Sequence, residues 1–333
     1  MGGPGAGSGR SGGTRPRPRR RAAEAAGRPA APAPPDPAEA PGLCARAASL
    51  LAAGRADEAA AAARRALAAF GAGGHGLAAA RARRLLGDAL VTAGEASAAL
   101  EAYETAREAF AAEDAGSADL AGCDAGAASA LRATGDIASA VDLLAVAAAG
   151  YREAGLHARA ARCDLDRAVL LHASGDAGGA LDLLRDARRA FVTEGDVEAV
   201  AACDFDLGLA LQDLGRVDDA IEHFERARAQ FEAFGDDEDA AGCDQNLGVA
   251  LGLSGRFEEA RTRLWDARRS YANLGCAADA AQCDRNLAVV LSALGDEDRA
   301  KRFETLADRF AGGPPGPSEP VAVGAEPPED DDA

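Results

Sequence analysis

The forty residues 201–240 read AACDFDLGLALQDLGRVDDAIEHFERARAQFEAFGDDEDA. Cys203, Leu207, Ala210, Leu211 and Leu214 stand at helical spacing and form one apolar stripe. Gly215-Arg216 then breaks the helix, because glycine takes the left-handed geometry of a C-terminal cap without a Cβ clash. Asp218 is the expected opening of a second helix, striped by Ala220, Phe224, Ala227 and Phe231 and closed by Gly235-Asp236-Asp237. Gly208 and Ala220 are read as the point where the two antiparallel helices touch, each leaving room for the other's backbone. Neither helix can bury its stripe alone, so the pair needs neighbours of the same kind.

Those neighbours are written on both sides of it. Cys-Asp recurs at 123–124, 163–164, 203–204, 243–244 and 283–284, and a glycine follows each cysteine at Gly135, Gly175, Gly215, Gly255 and Gly295. Gly54 and Gly94 extend the series backwards, with one residue inserted near Asp114–Gly116. A leucine precedes every glycine at Leu50, Leu90, Leu131, Leu171, Leu211, Leu251 and Leu291. Alanines follow at Ala59, Ala99, Ala140, Ala180, Ala220, Ala260 and Ala300, and again at Ala66, Ala106, Ala147, Ala187, Ala227, Ala267 and Ala307. The reading is seven helix–turn–helix units stacked into an all-α solenoid over residues 40–311, with units at about 40–79, 80–120, 121–160, 161–200, 201–240, 241–280 and 281–311. Arg46 and Ala63 in the first unit, and Glu304 in the last, replace the large apolar residues found elsewhere, as capping units require.

Leu207-Gly208, Leu211, Gly215, Ala220, Phe224 and Ala227, with Leu247-Gly248, Leu251, Gly255, Ala260, Leu264 and Ala267, resemble the tetratricopeptide repeat signature. The forty-residue period resembles the long variety of kinesin light chain and G-protein-signalling modulators. The resemblance implies a right-handed superhelical solenoid that binds peptides without catalysing a reaction, with the first helix of each unit on the concave side. The chain departs from the signature where a large aromatic usually sits early in the first helix. That column here is Asp124, Asp164, Asp204, Asp244 and Asp284.

The flanks differ in charge from each other and from the middle. Residues 1–39, rich in Gly, Pro and Arg, read as a disordered basic tail, and residues 312–333, Pro-rich and ending Glu329-Asp330-Asp331-Asp332, as a disordered acidic one. The net charge of −18 belongs almost wholly to the middle. So acidic a body repels phosphate backbones, which argues against nucleic acid and towards protein or peptide partners carrying basic side chains. No stretch reaches the roughly 18 apolar residues of a membrane span, and the amino-terminal arginines precede no apolar run of the secretory kind. A cytoplasmic protein of unspecified oligomeric state is expected.

The five periodic cysteines, with Cys44 and Cys276, are read as small packing residues. Equivalent positions on stacked helix pairs lie at least ~10 Å apart, beyond the ~7 Å reach of a disulfide. The aspartate column is expected to pair with Arg107, Arg188, Arg228 and Arg268, bringing Asp204 near Arg228 and Asp244 near Arg268. His75, His157, His172 and His223 share no column, residues 71–76 (GAGGHG) follow no strand, and no nucleophile elbow, P-loop or zinc-protease motif appears. No cofactor, metal or enzymatic activity is expected.

Following the resemblance, the candidate binding residues lie one turn from the buried stripe of the first helices. They are Arg162, Leu165, Asp166, Val169 and His172 in the fourth unit, and Phe205, Asp206, Leu209 and Gln212 in the fifth. Gln245, Asn246 and Val249, then Gln282, Arg285, Asn286 and Val289, complete the row. Side-chain amides both donate and accept, which suits Asn246 and Asn286 to an extended peptide backbone. The alternative reading is a sensory module whose superhelix responds to a signalling peptide or small ligand.

Overall fold

The computed structural model describes residues 36–71 and 76–311, and the two tails predicted to be disordered lie outside these residues except for 36–39, where a 3-10 turn spans Pro37–Glu39. Helices α1 (Ala40–Ala52) and α2 (Ala56–Phe70) form the first pair, followed by α3 (Gly76–Thr92) with α4 (Ala96–Ala112) and α5 (Ser117–Thr134) with α6 (Ile137–Glu153). Next come α7 (His157–Ala173) with α8 (Ala177–Glu194), and α9 (Val197–Asp213) with α10 (Val217–Phe234). The last two pairs are α11 (Asp237–Leu253) with α12 (Phe257–Leu274) and α13 (Ala277–Ala293) with α14 (Glu297–Ala311). No strand occurs among the described residues.

Each helix packs on the one before and the one after it, so the seven pairs stack in sequence order. Odd-numbered helices also meet one another (α1 with α3, α3 with α5, α7 with α9, α9 with α11, α11 with α13), whereas no two even-numbered helices pack as closely among the described residues. Closer approach on one side puts the odd helices on the inner wall and the even ones outside. The core is continuous across pairs: Leu184, Leu207, Phe224, Leu247, Leu264, Leu287 and Val290 belong to one buried cluster. Arg46 and Glu304 are exposed, as the ends of a stack should be.

Glycine ends the helices at both kinds of junction. Gly215 and Gly255 sit at φ +73° and +80° inside units, and Gly195 and Gly235 at +74° and +77° between them. The first helices start about one turn earlier than the expected unit boundaries, at Gly76, Ser117, His157, Val197, Asp237 and Ala277. Helix caps explain the difference. Asp196 and Asp236 follow left-handed glycines, and their carboxylates accept hydrogen bonds from Ala199 N (3.0 Å) and Asp239 N (3.1 Å). Asp218 is not the cap of α10: that helix starts at Val217, and Asp218 lies in its first turn.

The small residue in the first helix has a different reason from the one expected. A Cβ on Gly208 would come 2.5 Å from Phe224 Cε1, and one on Gly248 would come 2.6 Å from Leu264 Cγ. The glycines therefore make a slot for the large side chain of the second helix, rather than room for Ala220. Gly87 and Gly126 do the same for the Tyr103 ring from two sides, at 2.8 and 2.3 Å.

The aspartate column is structural, but its partners sit one unit earlier than expected. Arg107 pairs with Asp124 at 2.6 Å, Arg188 with Asp204 at 2.8 Å and Arg228 with Asp244 at 2.7 Å, and Arg268 pairs with Asp284. Each pair thus bolts an outer helix to the inner helix of the next unit. The third unit has Ala148 in place of the column arginine, and Arg152 serves Asp164 instead. All five aspartates are buried, so the weak surface pairing expected from sequence does not apply. Burial pushes the carboxyls of Asp124, Asp164, Asp244 and Asp284 up against the pull of their arginines. Asp204 differs: burial raises it too, but hydrogen bonds from His223 (2.8 Å) and Arg188 win, and it falls below the usual carboxylate range.

Candidate functional site

Residues on α7, α9, α11 and α13 form the inner wall of the last four units. The 40-residue period sets Val169, Leu209, Val249 and Val289 at the same register, and the four make an apolar stripe across the wall. Val169 and Val289 are exposed, Val289 to 71%, while Leu209 and Val249 are half-buried against the core. One turn before the stripe runs a polar column: Asp166, Asp206, Asn246 and Asn286. Carboxylates occupy its first half and amides its second.

Asp206 is the most perturbed of these groups. Its carboxyl is half-buried and accepts no hydrogen bond from any described residue. Burial pushes its pKa up to about 6; His172 opposes the rise and Asp166 adds to it. Asp166 is raised as well, by burial, against Arg162 and Arg132. Arg162 approaches Asp166 at 3.6 Å, and His172 Nε2 lies 2.8 Å from Asp213 Oδ2, so neither side chain closes directly on Asp206. Further along α9, Gln212 Oε1 is buried with no hydrogen-bond partner among the described residues. The fifth unit thus holds two acceptors that lack protein donors.

The amide half of the column is partly engaged within the fold. Asn246 Nδ2 donates to the Gly242 carbonyl at 2.9 Å, leaving its oxygen available. Asn286 Oδ1 accepts from Gln282 Nε2 at 3.3 Å, leaving its own amino group available. Gln282 Oε1 also accepts two bonds from Arg285, at 3.0 and 2.6 Å. Gln245 Oε1 takes a weak contact from Cys283 Sγ at 3.4 Å.

Leu165 leaves the expected set. It is buried in the main cluster with Ala161 and Ala168 and offers nothing to the wall. Its column, Leu165, Phe205, Gln245 and Arg285, runs from buried through half-buried to exposed. The position lies at the edge of the core, and the side chain's own chemistry decides which way it turns. The remaining candidates, from Arg162 to Val289, lie on the four inner helices of this wall.

The five periodic cysteines are buried and free, and burial lifts their thiols to about 12, which makes them inert packing groups. Cys44 and Cys276 are free and half-buried. No cluster of three His, Cys, Asp or Glu residues able to hold a metal ion occurs among the described residues. None of the described helices is long and apolar enough to cross a membrane.

The sequence matches a family profile described as tetratricopeptide repeat over residues 199–273, and a second profile of that description over 161–186. No curated protein is significantly similar in sequence. Among solved structures, the chain is similar to a signal-transduction ATPase with numerous domains and a tetratricopeptide repeat sensor from Pyrococcus horikoshii. Identity is 14% and the TM-score 0.71, over 80% of this chain but only 41% of that protein's. Kinesin light chain repeats from Podosopora anserina match at 20% identity and a TM-score of 0.51, over 60% of this chain and 97% of theirs. NprR in complex with its cognate peptide NprX matches at 14% identity and a TM-score of 0.50, over 70% of this chain and 69% of that one. At such identities the likeness is one of fold.

Proposed function

The chain belongs to the tetratricopeptide repeat family, and from that premise we propose that its inner wall holds a peptide segment of another protein and performs no chemistry of its own. The observation that carries this reading is the pairing of an apolar stripe (Val169, Leu209, Val249, Val289) with acceptors that have no donors, Asp206 and Gln212 Oε1. A half-buried carboxylate and a buried amide oxygen without protein donors cost free energy that a ligand's ammonium, guanidinium or backbone N–H would return. The acid end of the polar column, within a chain of net charge −18, favours a segment whose basic residue reaches units four and five. Its backbone would run on past Asn246 and Asn286. NprR, solved with its cognate peptide, offers a precedent in fold for a peptide ligand. The free thiols suit a reducing cytoplasm.

Photo-crosslinking from positions 209 and 249 of the full chain tests the reading. Partner segments that carry Lys or Arg, and that are lost on Val249→Asp and weakened by Asp206→Asn, are the expected result. Partners captured equally well by Val249→Asp would sink it.

A second reading is a sensor in which the stack changes pitch on binding, favoured by the tetratricopeptide repeat sensor of the Pyrococcus ATPase. A sensor would change its radius of gyration in solution scattering when the captured peptide is added. A passive holder would not.

A further inference from the structure

A second surface lies away from the inner wall, where outer helices hand over to the next inner helix. In units three and four the residue closing the outer helix is Ala154 or Glu194, but in units five and six it is Phe234 and Leu274. Together with Val197 these two line an open cleft of about 630 Å³, and they are 61% (Val197), 41% (Phe234) and 44% (Leu274) exposed. Phe234 is held in place edge-on against the buried Phe231 ring, with centroids 5.6 Å apart and an interplanar angle of 81°. The apolar floor is therefore a fixed feature rather than a loose loop tip.

The rim is acidic. Glu198, Asp236, Asp237 and Glu238, with Gly235, complete the lining. Asp236 is already committed as the cap of α11, and none of the other three is ion-paired to a described residue. Behind the rim, Asp239 is raised by burial and then by Asp236, Glu238 and Glu198 in turn. The carboxylates repel one another, and no described residue supplies a counter-charge.

We infer that this cleft docks a basic amphipathic helix of a partner protein. One large apolar side chain seats between Phe234 and Leu274, and Arg or Lys residues three or four positions to either side meet Glu198 and Glu238. On a helix, that spacing places apolar and basic side chains on one face within a turn of each other. Charge complementarity selects the occupant. Nucleic acid and anionic membrane would meet unpaired carboxylates, and a second copy of this chain seated about a two-fold axis would set one acidic rim against another. None of the inner-wall residues lines the cleft, so this docking is independent of the groove.

The test uses the full chain and a fluorescein-labelled helical peptide of about 16 residues, built from Ala with Leu and Arg on one face. Twins with Leu→Ser and with Arg→Glu serve as controls. Fluorescence anisotropy should show binding that weakens on the order of tenfold in each of two variants, Phe234→Ser/Leu274→Ser and Glu198→Lys/Glu238→Lys. It should weaken again when salt is raised from about 50 to 300 mM. The inner-wall variant Val249→Asp/Val289→Asp should bind this peptide as the parent does, so failure of the groove reading leaves this one standing. Equal binding of the Arg→Glu twin, no binding of the parent peptide, or indifference to both cleft variants overturns the inference. So does a dimer in sedimentation that Phe234→Ser/Leu274→Ser dissolves, which would give the cleft to a second copy.

Discussion

Arg268 shows what a single side chain does in this fold. Its guanidinium pairs with the buried Asp284 while lying over Trp265 and Phe303, at 5.5 and 5.9 Å from the ring centroids. Arg268→Ala strands that carboxylate and removes the stack, and should cost about 3 kcal/mol at neutral pH in urea unfolding. The loss should shrink as pH falls into the carboxylate range, because a protonated Asp284 no longer needs a cation. An unchanged loss at low pH would assign the effect to packing alone. Asp206 works the other way. Its folded pKa, about 6, is raised above the ordinary value, so the folded state holds the proton more tightly than the unfolded chain does. Its contribution is fully present below the unfolded pKa and is lost as pH rises through about 6. Asp206→Asn should therefore match the parent near pH 4 and exceed it at pH 7.5 by about 2 kcal/mol. A variant weaker than the parent at both values would show that the carboxylate is satisfied in the fold.

At the scale of the helix, two glycines in neighbouring positions do unlike things. Gly255 ends the α11–α12 turn at φ +80°, and a Cβ added there would meet nothing within 4 Å, whereas Gly248 lies within α11 against Leu264. Gly255→Ala incurs only the left-handed backbone cost, about 1 kcal/mol. Gly248→Ala gains helix propensity but drives a Cβ into Leu264 Cγ and to 3.2 Å from the Ala260 carbonyl, and should lose about 2 kcal/mol. Adding Leu264→Ala to Gly248→Ala should then cost less than Leu264→Ala does in the parent, a coupling absent from Gly255→Ala. Equal couplings would refute the slot. The helix pairs themselves are legible in the sequence because each stripe residue and each capping glycine recurs at a fixed interval, and seven copies outvote local exceptions. What helical spacing cannot say is which neighbour a long side chain leans towards. Spacing alone therefore points Asp204 to Arg228 of its own unit, when Arg188 of the preceding unit holds it. Leu165 misleads for a related reason: its column borders the core, so register alone does not separate wall from interior. Asp206 and Gln212 are legible as wall positions, but their lack of donors depends on what adjacent helices bring, which no single repeat encodes.

For the whole molecule, the governing fact is that packing runs between sequence neighbours and no further than the next inner helix. Stability should then accumulate unit by unit. Ending the chain at Gly275 removes α13 and α14, frees Arg268 of Asp284, and uncovers Leu251, Leu264 and Tyr271, which contribute to clusters shared with Leu287, Val290 and Cys283. The six pairs before the cut keep all their mutual contacts, so circular dichroism per residue should hold nearly constant. The urea m-value should fall by roughly one-seventh, in proportion to the surface no longer buried. The midpoint should fall as well, because the new terminal face is apolar where Glu304 and its neighbours had been exposed. Loss of all helical signal on shortening would mean that the seven pairs fold as one indivisible unit, and the nearest-neighbour account of the stack would fail.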